Sequence, residues 1–311
     1  MRRLIPTGDP ARPVTPAEAE QPVPAPGEAL VKVEAFSLNR GETFLLEDPR
    51  PGLLPGKDVA GLVVQPAADG SGPAVGTRVV GHPPSGGWAE YVAVPTHSLA
   101  GLPGSITSVQ AAALPLAGLT ALRLLRAAGA IAGRRVLLTG ASGGVGHYFV
   151  ELAAAAGAEI TAVTASAGRG ARLAELGAVH VVRDVAGADG PFDLVLESTG
   201  GPVLAAALAA LARRGTLIWF GQAGRVPVTL DFFDFFKGPE SAVIRHFHYT
   251  DSGTPYGRDL ATLVRLVAAG RLHPEIGAVN DWSATAGALV DLRERRVRGK
   301  TVLTLATGGS R

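Results

Sequence analysis

The sequence predicts an α/β protein of two domains, in which a doubly wound parallel sheet interrupts a smaller β-rich domain. Three observations carry this. A length of 311 residues suggests about two domains. The first third alternates apolar and polar residues in short runs separated by Gly and Pro, whereas from about residue 107 Ala- and Leu-rich helices alternate with short apolar strands. Strands that are apolar throughout and sit between helices are covered on both faces, as in a parallel sheet. The chain then returns to β character with KTVLTL at 300–305, which closes the first domain around the second. The expected division is residues 1–116 with 254–311 for the β-rich domain and 117–253 for the parallel-sheet domain.

The elements follow in order. Residues 1–26 are Pro-rich and predict short extended pieces at most. Val31, Val33 and Ala35 alternate with Lys32 and Glu34, the period of a half-buried strand. Further strands are expected over 58–65, 75–82 and 88–94, then helices over 108–114 and 118–129. The parallel-sheet domain reads strand 135–139, helix 144–156, strand 159–164, helix 168–176, strands 179–182 and 192–197, helix 202–212 and strand 216–220. A strand at 242–248, a helix over 258–269 ended by Gly270, a helix over 284–294 and a strand at 300–305 complete the chain.

Composition narrows the function classes. With 47% hydrophobic and 18% charged residues the chain is globular rather than disordered. It has no cysteine, which excludes disulfides, thiolate catalysis and thiolate-held zinc. The net charge is only +2, and the densest basic run, Arg293, Arg295, Arg296, Arg298 and Lys300, contains Glu294. It reads as a solvated helix end, so no nucleic-acid partner is expected. MRRLIPTGDP has no apolar core of a secretory leader, and the most apolar stretches, 109–132 and 148–165, are interrupted by Pro115, Arg123, Arg126, Glu151 and Glu159. No membrane partner and a cytoplasmic location are expected. Of the seven histidines, His246 and His248 share one face of the expected strand, which gives two ligands without a third, so no metal site is expected.

The strongest motif is RVLLTGASGGVG at 135–146. An apolar strand runs into a Gly-rich turn, a helix and a second strand, the context a dinucleotide fingerprint requires. Gly140 supplies the tight turn, Gly143 lets the backbone approach a pyrophosphate, and Gly146 permits close helix–strand packing. Ser142, Gly144 and Val145 complete the turn, and the helix start offers unpaired N–H groups and a positive dipole end. The second strand ends at Thr164 and is followed by Ser166, Arg169 and Arg172, with no carboxylate from Thr161 to Leu173. An NAD site wants a carboxylate there for the ribose hydroxyl, whereas Ser166 and Arg169 suit a 2′-phosphate, so NADPH is the expected cofactor. Thr199, Phe220 and Gly221 follow later strands of the sheet. Ligands of open α/β sheets bind beyond strand C-termini, so these residues are expected to line the nucleotide.

The blocks PGEALVKVEAFSLNRGE (26–42), LPGKDVAG (54–61), VGTRVVG (75–81), GGWAEYVAVP (86–95), AAALPLAGLTA (111–121), VLLTGASGGVG (136–146), FDLVLESTGG (192–201) and RGKTVLTL (298–305) cover most of the chain. In this order they resemble the zinc-independent quinone oxidoreductase, zeta-crystallin-like branch of the medium-chain dehydrogenase/reductase superfamily. The resemblance implies a GroES-like β-barrel catalytic domain interrupted by a Rossmann domain. It places Asn39 where zinc-dependent members carry a Cys, and Gly56-Lys57-Asp58 where they carry Gly-His-Glu, which implies no zinc. It makes Asn39 the catalytic residue, with its amide on the substrate carbonyl or the nicotinamide carboxamide, and places Thr120 near the nicotinamide and phosphates. It suggests that Lys300 approaches the cofactor and that the 242–248 strand pairs with its twin in a homodimer. The branch often carries a Tyr after the Asn segment; residues 43–56 hold none, and Tyr91 lies in a strand pattern and is expected in the core. The Phe232, Phe233, Phe235 and Phe236 cluster reads as a cap over core or cleft, a pocket wall, or a dimer contact. The implied activity is hydride transfer from NADPH to an activated C=C or quinone: an enone, quinone or enoyl thioester as small-molecule substrate. The alternatives are a dedicated biosynthetic tailoring enzyme and a non-catalytic NADPH-binding protein.

Overall fold

The computed structural model describes residues 1–305. The chain forms two compact units, one built from Met1–Leu119 and the chain from Gly253 onward, the other from Thr120–Ser252.

The first unit begins with β1 (Arg2–Pro6) and β2 (Val14–Glu18), an antiparallel pair in a region expected to hold only loose extended pieces. Leu4 and Val14 explain it: both join the core and anchor the ribbon. Then come β3 (Glu28–Ser37), α1 (Arg40–Leu45), β4 (Val59–Gln65), β5 (Arg78–Gly81), β6 (Tyr91–Pro95), β7 (Leu99–Gly101) and α2 (Ser108–Ala112). Helix α3 (Pro115–Ala128) carries the chain out of the unit. Strand β3 is central, antiparallel to both β4 and β6. Val31, Val33 and Phe36 on it pack with Val59, Val79, Val94 and Trp88. The Trp88 ring stacks on Phe36 with centroids 5.9 Å apart. Tyr91, expected in the core, is only half-buried: alternation along β6 turns Val92 and Val94 inward instead.

The second unit holds β8 (Arg135–Leu138), α4 (Gly144–Ala155), β9 (Glu159–Val163), α5 (Ala167–Glu175), β10 (His180–Val182), β11 (Phe192–Glu197), α6 (Gly201–Ala209), β12 (Leu211–Trp219) and β13 (Val243–His246). The sheet order is β10-β9-β8-β11-β12-β13, and every pairing is parallel. The order reverses between β8 and β11, the switch point at which open sheets bind ligands. Val136, Leu137, Leu138, Leu194, Val195 and Leu196 on these two strands are fully buried, as helices on both faces require. Helix α6 ends earlier than the expected 212, because the Ala210 carbonyl accepts the Phe192 N–H at 2.9 Å and draws the chain into β12. His246 ends β13 and His248 lies beyond it, so the two histidines do not share a strand face. Phe232, Phe233 and Phe236 lie in the 3₁₀ stretch Phe232–Lys237 and are 62–69% exposed. Their rings pack on one another, whereas Phe235 packs against the core of this unit, so the reading as a cap over core holds for Phe235 and not for the three exposed rings.

The chain re-enters the first unit through α7 (Tyr256–Ala268), β14 (Ile276–Asp281), α8 (Thr285–Arg293) and β15 (Lys300–Thr304). The sheet order becomes β14-β15-β3-β4-β5-β7, with β6 also on β3. β15 runs antiparallel to β3, with Val302 opposite Ser37. Lys300 therefore starts its strand beside the end of β3, where Leu38 and Asn39 follow. The C-terminal arginines are paired: Arg296 with Asp291 and Glu294, and Arg298 with Glu275 at 2.7 Å. Among the described residues no helix is long and apolar enough to cross a membrane.

Candidate active site

In the second unit the chain leaves β8 through Thr139 into the glycine turn. Gly140 has φ +62°, a left-handed conformation that disfavours a side chain, and a Cβ there would stand 2.8 Å from Ser198 Oγ. The Ala141 N–H bonds the Val163 carbonyl at 3.1 Å. Thr164 Oγ1 donates to Ser142 Oγ at 2.8 Å, which ties the turn to the end of β9. A Cβ on Gly146 would fall 2.2 Å from the Ala141 carbonyl oxygen, so the first turn of α4 lies directly on the glycine turn. The helix starts at Gly143, extended and without a side-chain cap, followed by Gly144 and Val145. Its first N–H groups therefore have no side-chain acceptor and face an anion-sized need for one.

The loops after β11 and β12 close on the same place. Glu197 ends β11 fully buried. Its carboxyl accepts the Thr139 hydroxyl at 3.0 Å, the Thr199 N–H at 2.7 Å and the Gly200 N–H at 3.0 Å. Burial pushes this carboxyl above its ordinary range, against the pull of those N–H donors. The Phe220 N–H bonds the Glu197 carbonyl at 2.9 Å, and a Cβ on Gly221 would lie 3.2 Å from the Ser198 side chain. The structure thus brings Gly140, Ser142, Gly143, Gly144, Val145, Gly146, Thr164, Thr199, Phe220 and Gly221 to the C-terminal ends of four adjacent strands. Ser166 and Arg169, both half-buried, follow β9 at the start of α5. Arg172 faces Glu175 instead, at 2.9 Å. Arg183, absent from the sequence reading, places its guanidinium on the Ala165 carbonyl at 3.3 Å. Thr120 is buried inside α3.

In the first unit the prominent feature is a buried polar network around Asn39. Asp58, fully buried, accepts the Ser37 hydroxyl at 2.8 Å, the Asn39 Nδ2–H at 2.7 Å, the Lys300 ammonium at 3.1 Å and the Leu116 N–H at 2.9 Å. Lys300, 3% exposed, also donates to the Leu38 carbonyl at 2.9 Å and to Asn39 Oδ1 at 2.6 Å. His82 stands 3.7 Å from Asp58 and holds the Lys57 carbonyl through Nδ1 at 2.7 Å. Burial pushes the Asp58 carboxyl up, but the Lys300 ammonium, His82 and Asn39 outweigh it and hold the group below the usual carboxylate range. Glu42, four residues into this segment, accepts the Asn39 backbone N–H at 2.8 Å, while its Oε1 is buried with no partner. Burial first, then the Asp58 charge, raises the Glu42 carboxyl to about 8.

The three N–H donors of Lys300, which the resemblance places near the cofactor, are all used within the first unit. Asp58, Lys300 and Glu197 were not singled out as partners from the sequence. A signal existed for each, because a charge that begins or ends an otherwise apolar strand needs a buried partner.

Residues 25–104 match the alcohol dehydrogenase GroES-like domain family, and residues 176–303 match the zinc-binding dehydrogenase family. Among the described residues no three His, Asp or Glu side chains form a group that could hold a metal ion. The chain is 35% identical over 219 residues to a mycocerosic acid synthase-like polyketide synthase of Mycobacterium tuberculosis; the match covers 64% of this chain and spans only 10% of that relative's length. It is 30% identical to a quinone oxidoreductase of Lama guanicoe over 91% of both chains. A mycobacterial structure complexed with NADPH superposes with a TM-score of 0.87 at 26% identity, covering 98% of this chain and 100% of that one. With the GroES-like sheet and the doubly wound sheet both in place, these likenesses make the chain an oxidoreductase of the medium-chain dehydrogenase/reductase superfamily, in its quinone oxidoreductase branch.

Proposed function

We propose that the protein is a zinc-independent, NADPH-dependent reductase of an activated C=C or quinone, with Asn39 as its catalytic residue. Two observations carry this reading, each within its own unit: a glycine cradle at the strand ends of the second unit and an oriented, buried amide in the first. The cradle fits a dinucleotide: Gly140 and Gly146 tolerate no side chain, and the uncapped start of α4 offers N–H groups to a diphosphate. Gly140, Ser142, Gly143, Gly144, Val145 and Gly146 would hold the diphosphate. Thr164, Ser166 and Arg169 would hold the ribose 2′-phosphate, and Thr120, Thr199, Phe220 and Gly221 the nicotinamide half. When bound, NADPH supplies a hydride. Asn39 donates its free Nδ2–H to the oxygen conjugated to the receiving carbon, where negative charge builds, and the proton comes from water. With no Tyr between residues 43 and 56 to donate the proton, water supplies it after the oxyanion forms, and the same lack favours a dedicated acceptor over a simple quinone or enoyl thioester. The match to a segment of a polyketide synthase favours, as a second reading, one dedicated biosynthetic acceptor.

The test is titration with NADPH and NADH, then NADPH oxidation at 340 nm with 1,4-naphthoquinone, 2-cyclohexenone and crotonyl thioester. NADPH binding with turnover supports the reading; binding without turnover moves it to a dedicated acceptor or a non-catalytic NADPH-binding role. Arg169→Ala is expected to weaken NADPH about 10-fold, the loss of one or two charge-assisted bonds, and to leave NADH unchanged. An equal effect on both nucleotides would remove Arg169 from the phosphate.

The same proposal includes a homodimer. β13 is the edge of the six-stranded sheet, and Val243 and Ile244 on it are 53% and 39% exposed. An exposed apolar edge strand invites pairing with a second copy. Light scattering that gives a monomer at micromolar concentration would count against it.

A further inference from the structure

We propose that Lys300 is a positioning residue that, with Asp58, locks the Asn39 amide in the one orientation that presents an N–H to the acceptor's oxygen. The inference rests on the reading of Asn39 as the oxyanion donor. An Asn side chain can rotate by half a turn and exchange its oxygen for its nitrogen. Here its neighbours forbid that. The Lys300 ammonium can only donate, and it lies 2.6 Å from Oδ1. The Asp58 carboxylate can only accept, and it lies 2.7 Å from Nδ2. A flipped amide would set its NH₂ against the ammonium and its oxygen against the carboxylate, two repulsions in place of two charge-assisted bonds.

The assembly is also rigid. Lys300 is pinned by the Leu38 carbonyl at 2.9 Å and by Asp58 at 3.1 Å, and Asp58 by the Ser37 hydroxyl and the Leu116 N–H. Strand pairing sets the approach, since the Leu38 N–H bonds the Thr301 carbonyl at 3.1 Å. The amide nitrogen has two hydrogens and makes one bond, to Asp58, so its second hydrogen is the group on offer. A donor preorganised in this way does not have to reorient as charge develops on the acceptor, which is where such groups gain their effect. The network therefore selects acceptors by a hydrogen-bond-accepting oxygen and gives no advantage to a substrate that offers a donor at the same position.

Lys300→Met alone leaves the Asp58 charge buried and can unfold the unit, so the test uses the charge-neutral pair Lys300→Met with Asp58→Asn. Thermal melting and NADPH titration first establish that fold and nucleotide binding are kept. The amide nitrogen spectrum of labelled protein, with Asn39 assigned through Asn39→Ala, should show one Nδ2 proton shifted and slow to exchange in the parent, and both Nδ2 protons with the shifts and fast exchange of a solvated amide in the pair. Turnover of whichever probe, 1,4-naphthoquinone or 2-cyclohexenone, is reduced faster should fall on the order of 100-fold in Asn39→Ala. The same fall is expected in the pair, with no further loss when the pair and Asn39→Ala are combined. An Nδ2 proton that stays shifted and protected in the pair, undiminished turnover in the pair, or losses that multiply would overturn the inference. Full turnover in Asn39→Ala would instead overturn the reading of Asn39 on which it rests.

Discussion

Each unit of this protein buries a carboxyl next to its candidate site, Asp58 in the first and Glu197 in the second, and these two are stabilised by opposite means. Asp58 faces a buried ammonium and sits below the usual carboxylate range; Glu197 faces only hydroxyl and backbone N–H donors and sits above it. Both are fully excluded from water. The contrast follows the partners: Asp58 has a buried ammonium beside its dipolar donors, and Glu197 has dipolar donors alone. It also matches the task of each region. Around Asp58 the charges orient a side chain, Asn39. Around Glu197 the carboxyl shapes a loop, gathering Thr139, Thr199 and Gly200 where β8 and β11 end.

The largest expected effect breaks the charged half of that comparison. Lys300→Met should cost about 3–5 kcal/mol of stability in urea unfolding, because it strands a buried charge, and adding Asp58→Asn should recover most of it. A loss no larger than that of a surface substitution would mean that Asp58 is not held by the ammonium. Next, Glu197→Gln should cost about 1–3 kcal/mol, since an amide offers one acceptor oxygen to three donors and turns N–H toward N–H. It should also weaken NADPH severalfold by loosening the Thr199 loop. An unchanged stability would show that water can replace the carboxyl.

The smallest effect concerns Glu42 and pH. Its carboxyl is raised from 4.5 to about 8, so the folded protein keeps a proton that the unfolded chain releases. The stability this confers is fully present below pH 4.5 and is lost as pH rises through about 8. Glu42→Gln, which mimics the protonated acid, should therefore leave the melting temperature nearly unchanged at pH 5 and raise it by a few degrees at pH 9. An equal shift at both pH values would contradict a buried, protonated Glu42.

The two regions differ equally in how far the sequence reveals them. The nucleotide cradle is legible because its requirements are met locally: Gly140 and Gly146 stand where a Cβ would collide, inside one strand–turn–helix run. The parallel sheet is legible for a similar reason, since β8 and β11 are apolar along their whole length. The Asn39 network is not, because Lys300 is 261 residues from Asn39 and 242 from Asp58, and only the pairing of β15 with β3 joins them. The β1–β2 ribbon escapes notice because its buried anchors, Leu4 and Val14, stand ten residues apart in a Pro-rich stretch with no alternating pattern. Strand β14 escapes because Gly277 is its second residue and no position along it is fully buried, so no apolar face marks it. The exposure of the phenylalanines is likewise invisible to composition, which records their apolarity but not what covers them.

The central claim is that the cradle binds NADPH while Asn39 acts on the acceptor, and the most direct measurement is the turnover of Asn39→Ala beside its NADPH dissociation constant. The account predicts a fall in kcat on the order of 100-fold with the dissociation constant within about twofold of the parent. A variant that turns over like the parent, or one that loses NADPH binding in proportion to its rate, would contradict it.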